Sequence, residues 1–121
     1  MKVVIALIGL CLCVSQTVGA SLPIKKGETF VHARKALLRH KWKPVPRHLH
    51  DGYEYGGLDR LLKERGFKEM ESCTVDTSQC IFYYRKAGNC LRLDTIGEQV
   101  DEMTVVQWSS ECPDQPAQPS H

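Results

Sequence analysis

Apolar residues are spaced along this chain in three ways, and each spacing predicts a different kind of structure. Residues 3–14 are apolar almost without interruption, behind the short positive start Met1-Lys2. A run of about a dozen residues is too short to cross a bilayer, which needs about 20. Val18-Gly19-Ala20 stand at the positions a signal peptidase reads, so residues 1–20 have the form of a secretory signal peptide cleaved before Ser21. Cys11 and Cys13 lie inside that segment and leave with it.

From residue 27 the spacing becomes helical. Phe30, Ala33, Leu37 and Leu38 line one stripe of a helix over 27–42, with Thr29 placed to cap it. Arg34, Lys35, Arg39 and Lys41 fill its other side, and basic residues toward the C-terminal end suit the helix dipole. Pro44 and Pro46 stop it, and the stretch KPVPRHLHDGYEYGG (43–57) reads as loop. A second, short helix is predicted over 58–65, opening at Gly57, closing at Gly66 and buried along Leu58, Leu61 and Leu62.

Beyond Gly66 the period falls to two. Residues 67–73 alternate, with Phe67, Glu69, Glu71 and Cys73 on one side, and the acids of such a strand are read as its solvated face. Residues 79–86 are rich in β-branched and aromatic side chains, a stronger strand. A tight turn at Ala87-Gly88-Asn89 leads into 90–96, where Leu91, Leu93 and Thr95 oppose Cys90, Arg92 and Asp94. Residues 104–112 form a last strand, and the proline-bearing tail 113–121 is expected to be disordered. The predicted fold is a single α+β domain over 21–112: two N-terminal helices packed on a four-stranded antiparallel sheet, in the order α-α-β-β-β-β.

Four cysteines remain after residue 20, namely Cys73, Cys80, Cys90 and Cys112. An even number in a short secreted chain points to two disulfides, and the spacings lack the close pairs of a zinc site. The strand order selects among the three connectivities. Cys73 ends one strand and Cys80 begins the next, while Cys90 and Cys112 fall at the same end of an antiparallel pair. Bridges need Cα atoms about 4.4–6.8 Å apart, so Cys73–Cys80 and Cys90–Cys112 are expected.

The formal net charge of +2 hides a split. Residues 25–50 hold eight Lys/Arg against one acid, a balance of +7, whereas from Asp51 onward seven basic residues face thirteen acidic ones, a balance of −6. Arg34, Lys35, Arg39, Lys41, Lys43 and Arg47 therefore form a candidate anion-binding cluster, acting by charge and counterion release. The richest candidate chemistry is RHLHDGYEYGG at 47–57. There His48, His50 and Asp51 suggest a metal-dependent hydrolase, but the flanking Pro46 and Gly52 deny them a rigid strand and no third ligand is well placed. His32 and His40 would lie about 12 Å apart along a helix, too far for one ion. With every cysteine committed to a bridge and Ser72, Ser78, Ser109, Ser110 and Ser120 in no nucleophile turn, no catalytic set, metal or cofactor is expected.

Taken together, the stretches GETFVHARKALLRHKWKPV, GFKEMESC, CIFYYRKAGNCLRLDT and VVQW resemble a group of small secreted or periplasmic bacterial proteins of unassigned function. Their pattern is an A-R-x-x-L helix (here Ala33, Arg34, Leu37), a W-x-P corner (Trp42, Pro44), a G-[FY]-x-E strand (Gly66, Phe67, Glu69), a cysteine hairpin and a closing strand with tryptophan (Trp108). The predicted topology is also similar to the repeat unit of β-lactamase-inhibitor-type proteins, which bind other proteins. The resemblance spans residues 27–112 and carries no catalytic residue onto this chain. The residues themselves lead to the expectation of a secreted, non-enzymatic binding or inhibitor-type protein whose contact surface is the helix exit and the long loop, with Arg39, Trp42, His48, Tyr53 and Tyr55 as contact residues. The alternative is a basic anion-binding effector acting on polysaccharide or a membrane surface. The partner expected is another protein or an extracellular polyanion, not a specific nucleic acid.

Overall fold

The computed structural model describes residues 21–114, so the predicted signal peptide and the tail beyond Asp114 lie outside the described residues. Two helices and an antiparallel sheet make up the fold. In chain order the elements are α1 (Phe30–Arg39), β1 (Lys43–Pro44), α2 (Leu58–Glu64), β2 (Met70–Cys73), β3 (Gln79–Lys86), β4 (Asn89–Ile96), a 3-10 turn (Val100–Glu102) and β5 (Thr104–Ser109). The α-α-β-β-β-β order is thereby corrected: a fifth, two-residue strand precedes α2. Its brevity and its proline hid it, because Pro44 lacks an amide donor and is tolerated only at a sheet edge.

The sheet runs β1-β3-β4-β5, and β2 shares with β1 the same edge of β3. β3 and β4 pair over their full length, with Phe82 opposite Leu93 and Tyr84 opposite Leu91. These four side chains are buried and form the floor of the core. Phe30 covers it from α1, stacked on Phe82 at 4.1 Å between centroids and edge-on to Phe67 at 5.4 Å. Leu37, Leu62, Met70, Met103 and Val105 complete the cluster. Both expected disulfides are present, with Cα–Cα distances of 4.1 Å for Cys73–Cys80 and 5.0 Å for Cys90–Cys112.

α1 begins at Phe30, inside the predicted range and directly after the predicted cap, with the Thr29 hydroxyl accepting from the His32 amide. It stops earlier than the prolines require. Lys41 takes a left-handed conformation (φ 73°), its amide donating to Leu38 and that of Trp42 to Leu37 at 3.0 Å. That pair of bonds is the Schellman terminus, at whose left-handed position glycine is preferred. α2 is only seven residues long and buries Leu62 and Asp59, while Leu61, expected inside, is 46 % exposed.

The strand preceding the first cysteine differs most from expectation. Only Met70–Cys73 pairs with β3, with an irregularity between Met70 and Ser72. Glu69, read as a solvated acid, is fully buried. Its carboxylate accepts from Arg34 at 2.6 and 3.3 Å and from the Tyr84 hydroxyl at 2.6 Å. On the far side of the sheet Asp94 is also buried, accepting from Arg92 at 2.8 Å and Gln107 at 2.7 Å. Among the described residues no helix is long and apolar enough to cross a membrane.

Candidate functional site

Residues 47–57 fold inward on themselves. The His48 ring stacks on Tyr53 at 3.7 Å and meets Tyr55 edge-on at 5.9 Å; Tyr53 and Tyr55 meet edge-on at 4.9 Å. Lys63 of α2 closes over the Tyr55 ring at 4.2 Å, and the Tyr53 hydroxyl donates to buried Asp59. Burial, followed by that contact with Asp59, pushes the Tyr53 hydroxyl well above its ordinary range. The side chain of His48 is 8 % exposed. Its Nδ1 lies 2.8 Å from Asp51 Oδ2 and its Nε2 2.5 Å from the Glu71 carbonyl. Both ring nitrogens are therefore engaged by oxygens of the chain itself.

His48 and His50 both take positive φ (63°). His50 is exposed, and among the described residues no three His, Cys, Asp or Glu side chains gather as metal ligands. The exposed rings expected of Tyr53 and Tyr55 are therefore half-buried, spent on His48 and α2. Arg39 and Trp42 do not join them: Arg39 is exposed in the last turn of α1, and Trp42 packs half-buried against the core.

The hydrogen bond from His48, then that from the Tyr53 amide, holds the Asp51 carboxyl below its usual range. A depressed carboxyl stabilises the fold above its unfolded value, near 3.9, and that contribution is lost as pH falls through the folded value. Asp51→Asn should therefore destabilise the protein at neutral pH. The difference from the parent should close between about pH 5 and pH 2. Urea unfolding across that range measures it, and a difference that grows on acidification would exclude the pairing.

The six basic residues of the predicted cluster separate into three groups. Arg34 is committed to Glu69 and Arg47 to Glu71, the latter at 2.5 Å. Lys35 and Arg39 stand one turn apart on the outer face of α1. Lys41 and Lys43 instead line a groove of about 360 Å³ with Pro44, Val45, Arg85 and Lys86. The β1–β3 register sets Lys43 directly opposite Arg85. Like charges so placed repel each other across a strand pair. Lys41, Lys43, Arg85 and Lys86 are all exposed, none is ion-paired among the described residues, and no acid lines the groove.

Arg85 and Lys86 were missed in the sequence because they lie some forty residues from the helix exit. The one available signal was the adjacent Arg-Lys pair entering a tight turn. Two further concavities flank the groove. Arg85 also faces one of about 610 Å³ bounded by Arg47, His50, Asp51 and Asp114, and the Asp114 carbonyl accepts from Arg47 at 3.1 Å. Lys86, Ala87 and Gly88 border another, of about 520 Å³, between Trp42 and Trp108.

Comparison with known proteins returns no match of any kind: no family model, no curated protein and no solved structure matches the chain.

Proposed function

We propose that this is a secreted, non-enzymatic binding protein for anionic polymers, gripping them in the groove formed by Lys41, Lys43, Arg85 and Lys86. The observation that carries the reading is the opposition of Lys43 and Arg85 across β1 and β3 with no acid in the groove. Two cations forced together at a cost to the fold are relieved by a bound sulfate, carboxylate or phosphate. Lys41 adds a second cost. It occupies a left-handed position where glycine is preferred, so its side chain stands against the local backbone preference. The two disulfides suit an oxidising, extracellular setting. A protein-partner surface built on His48, Tyr53 and Tyr55 has weaker support, since those rings are spent on one another.

Retention on a heparin column tests the proposal. The protein should elute only at elevated salt, and Lys43→Glu with Arg85→Glu should abolish retention and flatten the dependence of log Kd on log salt by about two. Lys35→Ser with Arg39→Ser, on the outer face of α1, should cost far less. Elution of the parent at low salt, or equal losses from the two pairs, overturns the assignment to the groove.

Lys41→Gly separates stability from binding at one residue. It should raise stability by about 0.5–1 kcal/mol by removing the left-handed strain. The same change should weaken heparin binding severalfold. Urea midpoints and salt-dependent affinity read the two effects independently.

A further inference from the structure

We propose that the polymer is an acidic carbohydrate and that the concavity between Trp42 and Trp108 reads its sugar rings; this rests on the anion-binding reading of the neighbouring groove. The two concavities share a wall, the hairpin tip Lys86-Ala87-Gly88. A linear chain carrying charges at intervals passes over that tip from one to the other. On the far side it meets a surface of different chemistry. Trp42 and Trp108 are anchored against the core yet line the cavity, and Leu91 joins them. Around them stand Ser21, Asn89, Ser109 and Ser110. The side chains of Asn89 and Ser110 are exposed and make no hydrogen bond among the described residues.

A pyranose ring matches both features. Its flat C–H face is apolar and is removed from water against an indole, while its rim of hydroxyls exchanges hydrogen bonds with small amide and hydroxyl side chains. Sulfate or carboxylate groups on the same chain find Lys86 and, beyond the tip, the opposed Lys43 and Arg85. A membrane surface calls for a protruding apolar face, whereas this one is concave. Single-stranded nucleic acid also stacks on aromatic rings, but the amide and hydroxyl side chains of Asn89, Ser109 and Ser110 and the disulfide-bonded setting favour a sugar.

Trp42 and Trp108 are the only tryptophans in the chain, so its intrinsic emission reports on this cavity directly. A sulfated hexasaccharide titrated into the full-length protein should change the emission and bind with a Kd that Trp108→Ala weakens about tenfold. The salt dependence of that Kd should be unchanged by Trp108→Ala and flattened by Lys43→Glu with Arg85→Glu. Trp108→Phe, which keeps an aromatic ring and the fold, should lose only part of the affinity. Unchanged emission, or an unchanged Kd in both Trp108 variants, overturns the sugar subsite while leaving the groove intact. Tighter binding of poly-dT than of the hexasaccharide, or of anionic vesicles than of either, overturns the carbohydrate assignment. Indifference of the hexasaccharide to Lys43→Glu with Arg85→Glu removes the groove reading beneath it.

Discussion

Arg34→Met is expected to destabilise the protein by about 3–5 kcal/mol, because it strands the Glu69 carboxylate in the core without its counter-charge. The geometry is unforgiving. Arg34 makes both of its contacts to Glu69 from α1, and Tyr84 donates the third from β3, so two elements converge on one buried anion. Burial alone would lower the Arg34 pKa, but the hydrogen bond and charge of Glu69 outweigh it and hold the guanidinium above its ordinary value. Burial, reinforced by Glu69, likewise raises the Tyr84 hydroxyl, keeping it a donor. In a domain of this size the loss corresponds to a fall in Tm of more than about 10 °C. Replacing all three partners, Arg34→Met with Glu69→Leu and Tyr84→Phe, should recover most of it, since neither an unpaired charge nor a stranded hydroxyl then remains. Urea unfolding of the two variants decides the matter: equal losses would mean that the contact contributes no coupling.

The second large effect concerns the bridges. Removing Cys90–Cys112 by paired alanine substitution should cost about 3 kcal/mol, and removing Cys73–Cys80 about 2, as loop-closure entropy grows with separation. The separations are 22 and 7 residues. The longer bridge should also matter for binding. Cys90 and Cys112 border the tryptophan cavity, and the residues following Cys112 border the concavity that Arg85 faces. Its loss should therefore weaken heparin retention, whereas loss of the shorter bridge should not. Denaturation of the two oxidised double variants, with heparin elution beside it, checks both statements; the reverse order of stability would refute the entropic account.

Much of this architecture was legible in the sequence wherever the signal is local and repeated. Thr29 as a cap, Gly57 and Gly66 around α2, the alternation of Leu91, Leu93 and Thr95, and both disulfide pairings all follow from spacing within one element or one hairpin. What escaped depends on contacts between distant segments. Glu69 looks like any strand acid until Arg34, thirty-five residues earlier, arrives to neutralise it. Leu61 looks buried until α2 turns Asp59 and Leu62 inward and leaves it on the outer side. The candidate site shows the same division. Lys41 and Lys43 were visible as part of a basic run, but the groove exists only because a two-residue strand containing a proline sets Lys43 against Arg85. No periodicity marks a strand that short.

That short strand also bears on how the protein comes apart. The chain leaves β3 at Val45, whose amide donates to the Tyr83 carbonyl, and returns at Glu69, whose carbonyl accepts from the Tyr83 amide. Both ends of the intervening excursion, α2 and the aromatic loop included, are thus clipped to a single residue of the sheet. Between those ends the excursion is held by Leu62 in the core, by Arg47 on Glu71 and by His48 on the Glu71 carbonyl, while β3, β4 and β5 pair along their length. Native-state hydrogen exchange should find the amides of α2 opening together, at lower free energy than those of β3 and β4. For anyone grafting onto this scaffold, Tyr83 is the clasp at both ends of residues 46–66, and any replacement has to return an apolar side chain to the place of Leu62.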